Sequence, residues 1–204
     1  MYATVHHFSR RVAGSAPDWG ADLAARLYDG DLPSGFCVLA EFGGREGVAV
    51  SYWTTREAAS RAASRRIDGS ALALDVAVYE VIDRDAGVAA GERPAVAQVM
   101  TFDGPRSQAQ VAASERAGRE RLWPAVRALP GLVGVHVLRD EDNAVVVVSL
   151  ATSLEALEAG QKAVLTTELL PDEDPALLAE PDRVQIHRVL AARLPETSRT
   201  GQPA

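Results

Sequence analysis

Histidines stand at positions 6, 7, 136 and 187, and they are the side chains here best suited to moving a proton near neutral pH. His6 and His7 are neighbours in ATVHHF (3–8), a run of strand character. Successive side chains of a strand point to opposite faces, so only one of the two can share a face with any third group. Tyr79 in VAVYEVI (76–82) and His187 in VQIHRVL (184–190) hold matching places in two similar runs. Val78, Ile186, Ile82 and Leu190 form an apolar row suited to a helix layer, which leaves Tyr79 and His187 facing the other way. His7, Tyr79 and His187 are therefore the candidate catalytic groups. Trp53 closes a strand and offers either a core plug or a flat wall with one N–H donor for a planar ligand. Trp53, His6 and Trp123 form the candidate substrate-binding set. Trp123 is included because Pro124 beside it bends a long helix, and a bent helix can border a pocket.

Other chemistry is disfavoured by residue type or place. His136 sits between Val135 and Val137 and reads as a satisfied sheet residue. Ser51 and Ser149 end strands, with no histidine placed by the sequence to activate either. The histidines lack the close spacing of a ligand set, so no metal is expected. The single Cys37 cannot form an internal disulfide. FGGREG (42–47) lies in a hairpin rather than between a strand and a helix, so it is not a phosphate loop.

The elements that must position these groups are written twice. VSYWTTREA (50–58) returns as VSLATSLEA (148–156), identical at five of nine positions. Each copy ends a strand and opens a helix, and Thr54-x-x-Glu57 and Thr152-x-x-Glu155 both fit a capping box. Before each lies a hairpin: FCVLAEF–GGRE–GVAVSYW (36–53) and VGVHVLR–DEDN–AVVVVSL (133–150). Pro-Gly turns precede both, opening strands stand at 3–8 and 95–102, and closing strands at 76–82 and 184–190. Each copy thus reads strand, helix, strand, strand, helix, strand, the ferredoxin-like order. The second copy is lengthened by a long helix at about 107–128 and an acidic loop, PDEDPALLAEPD (171–182). The expected fold class is α+β. Two tandem ferredoxin-like (βαββαβ) repeats, 1–84 and 95–190, are joined by a Gly- and Pro-bearing linker at 85–94 and followed by a flexible tail at 191–204. A four-stranded sheet with helices on one face leaves the other bare, so the two sheets are expected to pack face to face as an intrachain barrel.

The chain of 204 residues is 47% hydrophobic and carries a net charge of −7, with no basic run. That disfavours nucleic acid and anionic membrane as partners. The N-terminal residues lack the apolar core of a signal peptide, and no stretch of about 18 apolar residues is present, so a cytoplasmic protein is expected.

SYWTTREA, LPGLVGVHVLRDEDNAVVVVSLATSLEAL (129–157) and TFDGP (101–105) together resemble the antibiotic biosynthesis monooxygenases of the dimeric α/β-barrel superfamily, here as two copies spanning nearly the whole chain. The resemblance implies oxidation of a small aromatic or quinol-type molecule without metal, flavin or other bound cofactor. It also implies a small aromatic or hydrophobic molecule as partner, and it leaves open whether the fused unit forms a homodimer. Trp53 matches the family's tryptophan. The asparagine expected four residues earlier is Ala49, the tyrosine expected six later is Ala59, and the second tryptophan of heme-degrading members is Ala62. Two alternatives follow: a non-catalytic small-molecule-binding module, and a heme-binding member using one histidine. If the protein is an enzyme, it is a monooxygenase-type oxidoreductase.

Overall fold

The computed structural model describes residues 1–10, 32–43, 45–65 and 71–195. In chain order the elements are β1 (Tyr2–Arg10), β2 (Gly35–Glu41), β3 (Glu46–Trp53), α1 (Arg56–Ala63), β4 (Ala71–Ala86) and β5 (Val96–Phe102). There follow α2 (Gln108–Arg116), a π-helical stretch (Ala117–Leu122), α3 (Trp123–Val126), β6 (Leu132–Arg139), β7 (Val145–Ala151), α4 (Leu154–Thr166) and β8 (Arg183–Arg193). The helix expected between β1 and β2 lies outside the described residues. Among those residues no helix is long and apolar enough to cross a membrane.

The eight strands close into one antiparallel barrel in the order β1-β3-β2-β8-β5-β7-β6-β4. Around the ring, β4-β1-β3-β2 is followed by β8-β5-β7-β6, so the same relative order occurs in each half. The expected face-to-face packing of two open sheets is incomplete as a description. The halves also hydrogen-bond edge to edge, β2 to β8 and β4 to β6, which leaves no unpaired edge among the described strands. The length of β4 makes this possible: its early residues pair with β1, and its later ones, from Glu80 to Ala86, pair with β6.

Period-two alternation divides each strand between the barrel interior and the helix layer. Val5, Leu39, Val50, Val99, Leu138, Val148 and Leu150 fill the interior with Tyr52 and Cys37. Phe8, Val38, Ala49 and Trp53 face outward under α1, against Ala59 and Ala62. In β7, Val146 and Val148 point inward while Val145 and Val147 are half-buried outside, as a run of four valines allows. Burial in this interior pushes the Cys37 thiol up to about 12, so the one cysteine is a packing residue and not a nucleophile.

The repeated strand–helix junction is real, but its caps sit one residue later than expected. Thr55 and Ser153 have extended backbones, and their side-chain oxygens accept from Ala58 N and Ala156 N at 3.2 and 3.3 Å. The residue three past each cap is alanine, so no reciprocal bond closes a box there. A full capping box forms instead at α2, between Ser107 and Gln110. In the second hairpin Asn143 takes φ 63°, and Asp140 Oδ1 accepts from Asp142 N and Ala144 N at 3.0 and 2.8 Å, an Asx turn.

The long helix changes its winding ahead of Pro124. Pro124 has no N–H, and its ring would crowd the carbonyl four residues back in an α-helix. The preceding turn widens to π geometry, with Trp123 N donating to Gly118 O. The acidic loop clamps this helix. Arg116 makes two bonds to Asp172 at 2.7 and 2.8 Å, and Arg121 pairs with Glu173 with only 10% and 2% of their side chains exposed.

The two barrel ends differ. At one end Gly87 N donates to Val133 O and Ala89 N to Leu132 O, which lays the connection between β4 and β5 across the opening. Ala89 is 4% exposed and joins the interior cluster with Ala3, Tyr52 and Val133. The end reached by His7 on β1 and by the start of β8 remains concave.

Candidate functional site

Five strands converge on the open end. β1 delivers His7, β2 Glu41, β3 Glu46, β4 Asp75, and β8 Arg183, Gln185 and His187. They surround a cavity of about 250 Å³, walled by Phe8, Gly47 and Val48. The register explains the gathering: His7 lies opposite Asp75 on β4 and Val48 on β3, while Glu41 lies opposite His187. The β1–β4 register shifts between His7 and Phe8, a bulge at the rim of the kind that re-aims side chains at barrel mouths.

His187 is the deepest of the polar groups. It is 1% exposed, and neither ring nitrogen has a hydrogen-bond partner of proper geometry. Burial lowers its pKa, the nearby Gln185 backbone draws it partly back, and His7 lowers it again. The pKa of His7 is lowered as well, by burial first; Asp75 and Glu46 act against that and Arg183 with it. Both imidazoles are therefore neutral at pH 7, with one lone pair and one N–H each to offer. Glu41 is held by Gln185, whose Nε2 donates to its Oε1 at 3.2 Å. Tyr79 also faces the interior. Burial pushes its phenol up to about 12, and the charges of Asp140, Asp75 and Asp103 add to the effect, so it stays a donor.

The expected site residues thus fall into three places. His7 and His187 share the mouth, with Tyr79 inside the same barrel. Trp53 and His6 lie on the outer face of the first half. Trp53 is 3% exposed, packs with Phe8 and Ala59, and donates from Nε1 to Thr4 Oγ1 at 3.2 Å. His6 is 3% exposed, both its nitrogens lack partners, and burial followed by the charge of His7 lowers its pKa to about 4. Trp123 is half-buried where the π turn meets α3, on neither of these faces. The carboxylates, Arg183 and Gln185 carry no motif; each simply belongs to a strand where it passes the mouth, and only strand pairing shows that they meet. The sequence also gives no sign that Tyr52 and His136 join across the barrel. The Tyr52 hydroxyl bonds His136 Nδ1, with the rings edge to face at 5.1 Å. His136 is buried there, and its pKa is lowered to about 4 by burial and by Arg84.

No family model matches the sequence, and no curated protein matches it. Solved structures do. An anthrone oxidase-like protein superposes with a TM-score of 0.58 at 14% identity, over 94% of this chain and 92% of that one. A ferredoxin-fold protein of Listeria monocytogenes related to antibiotic biosynthesis monooxygenases gives 0.51 at 9% identity, over 92% and 94%. These likenesses show the fold: a ferredoxin-type α+β fold, here closed into an eight-stranded barrel. A heme-degrading enzyme of L. monocytogenes shares it, with a TM-score of 0.51 at 9% identity over 91% and 98%. A porphyrin does not suit this mouth. Its 250 Å³ falls below the roughly 300–1,000 Å³ of sites for drug-sized ligands.

Proposed function

We propose that this chain is a tandem form of the dimeric α/β barrel, with repeats at 1–84 and 95–190, and that it oxidises a small aromatic or quinol-type molecule held in the barrel mouth. The observation that carries this reading is His187: 1% exposed, without a hydrogen bond of proper geometry among the described residues, and lining a cavity beside His7. A buried imidazole without a partner forgoes hydrogen bonds worth about 1–3 kcal/mol unless something supplies them. A hydroxyl-bearing ligand would do so. The repeated strand order β4-β1-β3-β2 and β8-β5-β7-β6 supports the tandem organisation.

In this reading a neutral His7 or His187 accepts the proton of a phenolic or enolic hydroxyl, which raises the electron density of the ring for reaction with dioxygen. With an anthrone, one oxygen atom of O2 becomes the new carbonyl. The other leaves as water with the two methylene hydrogens, so the balance needs no bound cofactor. Tyr79, held as a phenol, packs against the interior cluster and is not among the residues lining the mouth, so the proton transfer falls to His7 and His187. Trp53 contributes from outside, by fixing β3 against β1.

A second reading, a non-catalytic binding module, is favoured by one feature. Ala49, Ala59 and Ala62 are all buried in the packed layer under α1, which leaves the outer face without the polar groups the resemblance leads one to expect. Oxygen uptake with a panel of anthrones and hydroquinones separates the two. The proposal expects turnover that falls about a hundred-fold in His187→Gln and persists in Trp53→Phe. No uptake, with a phenol still raising the melting temperature, would establish the binding module instead.

A further inference from the structure

The charges around the mouth select its ligand. Among the described residues, Glu41, Glu46 and Asp75 place three carboxylates on the cavity wall against one guanidinium, Arg183. The excess is two negative charges. The deepest group, His187, is an unpartnered imidazole that adds no positive charge while neutral. Counted by hydrogen bonding, the wall is rich in acceptors: three carboxylates and two imidazole lone pairs. Among the described residues its side-chain donors are Arg183, the amide of Gln185, one N–H of which is given to Glu41, and one N–H on each imidazole.

Resting on the reading of the mouth as the binding site, we propose that its ligand is an arylalkylamine: a phenol or related ring carrying a protonated primary ammonium group on an alkyl arm. The ammonium presents three donors and one positive charge, and answers Glu41 and Asp75. The ring hydroxyl answers His187. Anionic aromatics, such as aromatic carboxylates, are excluded by the same field.

A charge series tests this on the intact protein. Tyramine, 4-ethylphenol and 4-hydroxyphenylacetate share a phenol and differ in charge: plus one, zero and minus one. The imidazole resonances of a protein this poor in histidine report where each of them binds. The expected result is saturable perturbation of His7 and His187 by tyramine, about ten-fold tighter than by 4-ethylphenol, with 4-hydroxyphenylacetate weakest. In the near-isosteric double variant Glu41→Gln, Asp75→Asn the tyramine preference collapses to less than about two-fold, while 4-ethylphenol binds as before. Equal binding of all three probes, or a preference for the anion, overturns the charge inference but leaves the mouth as a phenol site. Binding of none of them, or perturbation of His6 or His136 alone, overturns the site as well.

Discussion

Acidification provides a stringent test of the barrel interior. The imidazole of His136 is enclosed with the Tyr52 hydroxyl on Nδ1, and burial together with Arg84 lowers its pKa from 6.5 to about 4. In the unfolded chain it returns to its ordinary value. As pH falls through 6.5 the unfolded state takes up the proton and the folded state does not. The stability held by the neutral histidine is therefore complete above 6.5, is lost on the way down, and levels off below about 4. Linkage between these two values gives a loss of about 2 kcal/mol between pH 7 and 5, and about 3 kcal/mol in all. His6, lowered to about 4 by burial and His7, adds a similar amount. Asp85 works in the opposite direction. Its carboxyl is pushed up to about 6 by burial and Asp83, so its protonation recovers stability over this range. Its partial exposure limits that recovery to about 1 kcal/mol. The variant His136→Gln isolates the histidine, because the amide oxygen can still accept from Tyr52. Urea unfolding followed by circular dichroism at pH 7 and pH 5 should show the wild type losing about 2 kcal/mol more than the variant. Parallel losses, within about 0.5 kcal/mol, would refute the neutral, buried histidine.

The cap assignment can be tested by contrast. Thr55→Ala and Ser153→Ala should each cost about 1 kcal/mol in thermal or urea unfolding, and more than Thr54→Ala or Thr152→Ala. Equal costs at both positions would restore the earlier register. The ion pair that ties the acidic loop to the π turn should behave as a buried one: Glu173→Gln should cost about 3 kcal/mol. Breaking the exposed Arg56–Glu141 pair should leave stability unchanged within error, measured in the same way.

Local signals in the sequence carry the fold a long way, and the reasons are specific. Two hairpins with polar turns, two β-branched closing runs and a repeated strand–helix junction announce ferredoxin-like order, because turn chemistry and period-two alternation act over a few residues. The opposition of His6 and His7, and the inward aim of Tyr79 and His187, follow from the same alternation. Closure is less legible. Nothing near Glu80 says that β4 leaves β1 for β6, since that depends on strand length and barrel shear. The mouth is harder still to read. Asp75 and His7 are far apart in the chain and meet only through register, as do Glu41 and His187. Trp53 illustrates the limit from the other side: its residue type suggests a ligand wall, whereas its bond to Thr4 and its packing against Phe8 make it part of the wall's foundation.

The connection laid over one end has a kinetic meaning. With Ala89 seated in one opening and the interior packed with side chains, the barrel is closed behind its mouth, and whatever enters beside His7 must leave the same way. Substrate and product would then share a single file, so accumulated product would slow the arrival of its own precursor. An assembly of two separate halves, related by a twofold axis, would carry two equivalent doors. Placing both halves in one chain allows one door to be closed without closing the other.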